Sequence, residues 1–323
     1  MDDPRVLVAG EALIDLFPTS EGPIAEAETL QREAGGAPAN VAVALARLDY
    51  PPLLWTRLGE DPFGEHLASV LAEEGIREEL IEWDDERKTA HTLVGQDAEG
   101  DQSFTFFADE TATFAMEPGA VAEETLASVE WVHAGGVTLF TEPARSATLD
   151  LLERANEHDC IVSFDPNTRP DLWPDDTVLI ETLERALGLA DVVKTDQEDL
   201  SVLIDASDED AVAEAVLDMG PHTVLLTRGG DGAMARAIAD APWGPAEAEF
   251  GGFDVDVVET TGAGDAFVAG TITALGLQGT SLSEALRYAS AVGGLATTAT
   301  GAMDGLPSTD AVAELLAAAE HGE

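Results

Sequence analysis

Glu259-Thr260-Thr261-Gly262-Ala263-Gly264-Asp265-Ala266-Phe267 follows a strand-like run, Val255–Val258, and opens a long helical pattern, Gly264–Leu277. Small residues at 262 to 264 let backbone N–H groups approach an anion closely, and a helix N-terminus favours negative charge there. Asp265 falls in the first helical turn, where an ionised carboxylate is favoured. An ionised acid beside a nest of N–H donors suits phosphoryl transfer. The carboxylate accepts the proton of an attacking hydroxyl, while Gly262, Ala263 and Gly264 stabilise charge on the moving group. The bland alternative is an ordinary glycine turn with Asp in the first helical turn. A bare G-x-G would favour it; nine residues in this order do not.

Outward from this stretch, short apolar runs alternate with amphipathic helical patterns, the mark of a βαβ sheet protein. Strands are expected at Arg5–Gly10, Leu53–Arg57, Trp131–Gly135, Ile161–Asp165, Asp191–Lys194 and Thr223–Thr227. Helices are expected at Ala37–Leu48, Phe63–Glu74, Pro143–Glu157, Val178–Leu187, Asp208–Met219, Gly264–Leu277, Leu282–Thr298 and Thr309–His321. Two stretches break the alternation. Ala12–Glu33 follows the first strand without a helix, and Thr89–Asp109 reads as a hairpin around Ala98-Glu99-Gly100. Together they are expected to form a small sheet over the open ends of the main strands. No repeat, low-complexity tract or linker divides the chain. Residues 1–323 are therefore read as one α/β domain with a mostly parallel sheet and lid segments near 12–33 and 89–109.

With 45% hydrophobic residues over 323 positions, the chain has ample material for a buried core. A single cysteine, Cys160, excludes an intrachain disulfide and a cysteine-based zinc site. There is no apolar run long enough to span a membrane, and MDDPRVLVAG has no signal-peptide pattern, so a cytoplasmic location is expected. Charge is the unusual feature: 64 Asp and Glu stand against 15 Lys and Arg, a net charge of −49. The acids are spread among apolar positions rather than gathered in a tail. Such self-repulsion strains a fold in dilute salt, whereas at ~1 M salt the Debye length is roughly 3 Å. This reads as a halophilic protein of a salt-accumulating cytoplasm, with neither nucleic acid nor an anionic membrane as partner.

The glycine segment is similar to the C-terminal signature of the ribokinase-like (PfkB) family of carbohydrate kinases. Gly35-Gly36-Ala37-Pro38-Ala39-Asn40-Val41-Ala42 is similar to that family's N-terminal signature, and matches run from the first strand to about Pro307. The resemblance implies a three-layer αβα ribokinase-like fold with a small β lid, ATP and Mg²⁺, and Asp265 as the base. It implies sugar contacts from Asp15, Gly35, Gly36 and Asn40. A carboxylate and an amide can each grip vicinal hydroxyls, and paired glycines let a sugar lie against backbone. Taken singly, Asp15 also reads as a turn cap and Asn40 as a first-turn helix residue.

Lys194-Thr195-Asp196-Gln197-Glu198 resembles the family's Asn-x-x-Glu element, with Asp196 where Asn is usual; Glu198 is then expected to hold Mg²⁺ through water. Alone, Glu198 is one more acid in an acidic protein. Lys194, one of two lysines, is expected at the nucleotide. Thr227-Arg228-Gly229-Gly230-Asp231-Gly232 resembles the nucleotide-side loop, contributing Thr227, Gly229 and Gly232; its plain reading is a hairpin turn into Ala233–Ala237. Glu259, where the family usually has Asp, and Thr261 correspond to a monovalent-cation site, implying K⁺. The stretch Phe164-Asp165-Pro166-Asn167-Thr168-Arg169 resembles the form seen in fructokinases and 2-keto-3-deoxygluconate kinases. Arg169 there would meet sugar oxygens, a phosphate or a substrate carboxylate, or else form a surface ion pair. Phe104 and Phe106 would close over the sugar, or simply pack as lid core. His66, His91, His133 and His222 lack metal-ligand spacing.

The implied reaction is ATP-dependent phosphorylation of a primary hydroxyl of a ketose, with fructose first and 2-keto-3-deoxygluconate as rival. The lid strand Ser103–Asp109 has no Arg to receive a substrate carboxylate, and Asp109 would repel one. A rival of another class is a non-catalytic sugar-binding regulatory paralogue, against which the intact Asp265 and glycine nest argue. Dimerisation through the lid follows only by analogy with the family.

Overall fold

The computed structural model of the chain describes residues 3–19, 24–96, 102–206 and 208–321. The first third runs β1 (Val6–Ala9), β2 (Leu13–Pro18), β3 (Leu30–Gly35), α1 (Ala37–Arg47), β4 (Leu53–Gly59), α2 (Pro62–Glu73), β5 (Ile81–Asp84), β6 (His91–Gln96) and β7 (Gln102–Phe107). Then come α3 (Glu123–Leu126), β8 (Trp131–Gly135), α4 (Ala144–Glu157), β9 (Ile161–Asp165), α5 (Asp176–Leu189), β10 (Val192–Thr195), α6 (Glu209–Asp218) and β11 (Thr223–Thr227). A hairpin, β12 (Ala233–Ala237) and β13 (Ala246–Phe250), precedes α7 (Ala263–Thr271), α8 (Leu282–Ala296) and α9 (Thr309–His321).

Nine strands form one sheet in the order β13-β12-β11-β10-β9-β8-β1-β4-β5, parallel throughout except for the β12 and β13 pairings. β1 shows why such strands read as unbroken apolar runs: both of its faces are buried. Val6 and Val8 face the core built with α1, α2, α7, α8 and α9, while Leu7 and Ala9 face the core built with α4, α5 and α6. This is the expected αβα sandwich. Several helices start where an acid or serine caps them, a use this composition favours. Asp61 accepts from Phe63 and Gly64 N–H, Asp175 from Val178, Asp208 from Ala211, and Ser281 forms a capping box with Glu284.

The two insertions form the second sheet, β3-β2-β6-β7, with β2 and β6 parallel and the other neighbours antiparallel. The expected hairpin is β6 and β7; its turn, Ala98-Glu99-Gly100, lies outside the described residues, as does part of the 12–33 segment. A small apolar cluster including Leu13, Phe114, Val137 and Phe140 joins the lid to the main body. Other expectations need correction. Val255–Val258 is not a strand, and Val257 and Val258 are each 61% exposed. The helix expected to run to Leu277 is α-helical to Thr271 and then forms a wider π turn over Ile272–Leu277. β5 and β13 went unread. Among the described residues, no helix is long and apolar enough to cross a membrane.

Candidate active site

The chain's two directions of winding part at β1 and β8, which are neighbours in the sheet. Open α/β sheets bind ligands beyond the carboxyl ends of strands at such a point. A cleft of about 320 Å³ lies there under the lid. Its walls carry Glu11 after β1, Asp165 at the end of β9, Asp265 at the start of α7, and Asp15 with Phe104 and Phe106 from the lid. A second cleft, of about 510 Å³, is lined by Thr227, Gly229 and Gly232, by Val255 and Val257, and by residues of α7 and α8. The two clefts meet at Lys194, Asp196, Thr260 and Gly264, which line both.

That junction is the glycine segment. Gly262 takes the left-handed conformation, φ 80°, as N-cap of α7, and a Cβ there would lie 2.8 Å from the Ala302 carbonyl oxygen. A Cβ on Gly264 would lie 3.1 Å from Lys194 Nζ. No side chain caps this helix; the Ala263 N–H is held by the Thr260 carbonyl, and the next turn faces the clefts. Helix-end N–H groups without an internal partner are an anion site. Ala263 lines only the second cleft and Gly262 only the first, with Gly264 between them.

Asn40 Nδ2 donates to Asp265 Oδ2 at 2.8 Å, so the two signatures meet although 225 residues separate them. The carboxylate is not the freely ionised group the helix terminus suggests. Burial pushes Asp265 up to about 7, with Asp165 adding to the rise, against the Asn40 hydrogen bond and the charges of Lys194 and Arg169. Burial likewise pushes Asp15 up to about 7, with Glu33, Asp265 and Glu259 adding repulsion. Lys194 Nζ is 3.0 Å from Asp165 Oδ2. Burial pulls Lys194 down, but Asp165 and Asp199 outweigh it and leave the ammonium above its ordinary value.

Several expected residues take a different part. Gly35 does not line the cleft; a Cβ there would fall 2.2 Å from Asp15 Oδ2, so the glycine makes room for that carboxylate. Gly36 does line it. Glu198 is exposed and lines neither cleft, whereas Asp199 is buried on the first. The Asp196 carboxylate accepts the N–H groups of Glu198 and Asp199, 2.9 Å each, and this turn directs residue 199 inward. There Asp199 Oδ1 accepts the Thr168 N–H at 2.8 Å, and burial with Asp165 and Asp196 raises its carboxyl. Asp109 is exposed and outside the cleft, so it repels nothing there.

Arg169 lines the first cleft. Its Nη1 donates to the Thr168 carbonyl at 3.1 Å, and its Cζ lies 6.0 Å from the Phe104 ring centroid. The surface ion pair considered for it is not formed among the described residues. Glu259 accepts the Thr261 hydroxyl at 2.7 Å and the Gly301 N–H at 3.0 Å, tying the segment to the 301 turn. Among the described residues, no three His, Cys, Asp or Glu side chains are grouped to hold a metal by themselves. Glu11, Asp165 and Asp199 went unassigned in the sequence. Asp165 was within reach, standing at the end of a largely apolar strand, residues 161–164, at the start of the 165–169 stretch.

The chain matches the family model described as pfkB family carbohydrate kinase over residues 3–309. A fructokinase from Salmonella typhimurium is 38% identical over 313 residues, covering 94% of this chain and 96% of that protein. A fructokinase from Xylella fastidiosa, solved with bound ATP, superposes with a TM-score of 0.86 at 31% identity, over 98% of this chain and 99% of that one. A fructokinase double mutant from Vibrio cholerae O395, in a form with fructose, ADP and potassium ion bound, gives 0.81 at 30% identity, over 97% and 98%.

Proposed function

Because the chain belongs to the pfkB family of carbohydrate kinases, we propose that it transfers the γ-phosphoryl group of ATP to a primary hydroxyl of fructose. The observation that carries this reading is Asp265 and the glycine nest standing where the two clefts meet. The sugar occupies the cleft under the lid, and ATP occupies the open one with its phosphates toward Gly264. Asp265 accepts the proton of the attacking hydroxyl, and Asn40 fixes the carboxylate's orientation. The N–H group of Gly264 and the Lys194 ammonium stabilise charge on the phosphoryl oxygens. Asp196 and Asp199 offer the oxygen donors that suit Mg²⁺, directly or through water; bound there, the ion would neutralise phosphate charge. For K⁺, Glu259 and Thr261 supply hard oxygen donors beside the same segment.

Fructose is favoured over an acidic sugar by the cleft's own charge. Asp15, Asp165, Asp196, Asp199 and Asp265 line it against Arg169 and Lys194, and burying a further carboxylate without a dedicated cation is costly. The test is ADP release with fructose, 2-keto-3-deoxygluconate, ribose, tagatose and nucleosides in high KCl. Fructose should give the highest kcat/KM. A preference for ketodeoxygluconate that disappears in Arg169→Ala would overturn the substrate, and no release with any sugar would favour the non-catalytic reading.

A further inference from the structure

Glu11 follows β1 directly and is 2% exposed. Its Oε1 accepts the N–H of Ala37, the first residue of α1, at 3.1 Å. Its Oε2 is buried and has no hydrogen-bond partner, although the side chain lines the cleft under the lid. Two more orphaned oxygens belong to residues of the same cleft: Asn40 Oδ1, on the amide whose nitrogen holds Asp265, and Thr92 Oγ1 from the lid. Buried polar atoms are rarely left unpaired, and three in one cleft point to a hydroxyl-rich ligand that pairs them.

We propose that Glu11 is a specificity-determining residue whose Oε2 pairs with one hydroxyl of the bound sugar while Oε1 stays on the helix that carries Asn40. The proposal rests on the reading of this cleft as the sugar site. Helix capping accounts for Oε1 alone; it gives no reason for a second oxygen shut away from water. Burial raises the carboxyl to about 8, Asp265 on α7 adds to the rise and Arg169 after β9 opposes it. Asp15, Asp165 and Lys194 are the other charged groups near it on the wall. A carboxyl that keeps its proton at neutral pH offers Oε2 as a donor and adds no charge beside Asp265. A sugar hydroxyl can accept from that oxygen, and can donate to it once the carboxyl ionises.

Glu11→Gln and Glu11→Ala test this by calorimetry without nucleotide, using fructose, its C3 and C4 epimers and monodeoxy analogues, with ATP affinity and melting temperature alongside. Glu11→Ala should weaken fructose binding about 10- to 100-fold with ATP affinity unchanged. Glu11→Gln, which still accepts from Ala37 and donates to the sugar, should stay within about threefold. One deoxy analogue should bind the wild type weakly and be indifferent to Glu11→Ala. Wild-type affinity in Glu11→Ala, or the same loss for every analogue together with a lowered melting temperature, would overturn the proposal. Failure of the kinase reading shows separately, as wild-type protein that releases no ADP.

Discussion

Asp265→Asn should make the protein more stable and far less active, and the gain in stability should grow as pH rises toward about 7. Burial lifts this carboxyl from its ordinary 3.8 to about 7. The unfolded chain therefore holds fewer protons than the folded one between those values, and stability falls as pH rises through that window. At about 1.4 kcal/mol per pH unit, the ionised carboxylate costs the fold on the order of 4 kcal/mol above pH 7 as an upper bound. An amide removes that cost. It does not orphan Asn40, whose buried Oδ1 has no partner and can take the hydrogen bond after a flip of its amide. Allowing for water and relaxation, a gain of about 1–3 kcal/mol at pH 8 is expected, shrinking to less than half of that by about pH 5 and vanishing only below about pH 4. The measurement is urea unfolding of both proteins across pH 5–8.5 in constant molar KCl, with kcat from ADP release. kcat should fall by roughly 10²-fold or more. A stability difference that is independent of pH, or a variant less stable at pH 8, would show that this carboxylate carries no electrostatic strain. Near-normal turnover would remove it as the base.

The same titration should give kcat/KM an acid limb near pH 7, because protonated Asp265 accepts no proton; a profile flat from pH 5.5 to 8 would contradict this. Asp199→Asn should raise the Mg²⁺ requirement about 10- to 100-fold, while Glu198→Gln leaves it unchanged; equal effects would return the role to the exposed residue. Gly264→Ala puts a methyl group 3.1 Å from Lys194 Nζ and should lower kcat about 10²-fold with sugar affinity intact, as steady-state kinetics and calorimetry would show. Folding and turnover should both need molar KCl, since Arg228 already holds Glu209 and Glu249, and Arg236 holds Asp210 and Glu247, with few cations left for the other acids. Equal circular dichroism and turnover at 0.1 M would refute the halophilic reading, and turnover that NaCl cannot support would favour the K⁺ site.

The central strands were legible because parallel strands buried on both faces leave apolar runs, as Val6–Ala9 and residues 224–226 do. The edges were not. β13, Ala-Glu-Ala-Glu-Phe, pairs on one side with β12, and both of its glutamates are exposed while the other residues are only half-buried, so its alternation carries little apolar signal. Val255 and Val257 misled for the opposite reason. They are apolar because they line the open cleft, and a ligand wall reads like a strand when only hydropathy is seen. Signature positions were legible where glycines enforce geometry, as at 262 to 264. Glu198 and Asp199 differ by one position on a turn whose direction is set by the Asp196 hydrogen bonds; counted from Asp196, the Asn-x-x-Glu spacing falls on Asp199, so the signal for the inward acid was present and the expectation fell one residue short of it.

The hydrogen bond from Asn40 to Asp265 also bears on how the chain is made. Ribosomes add about 5–20 residues per second, so the 225 residues between the partners take roughly 11 to 45 seconds to appear. Through that interval the α1 face that later meets α7 must wait, apolar and uncovered, on a chain that is otherwise strongly charged. The acids then act as a solubility device for the nascent chain. Phosphoryl transfer becomes a late event of synthesis, possible only after α7 has left the ribosome, because a released fragment ending before residue 262 lacks both the glycine nest and Asp265.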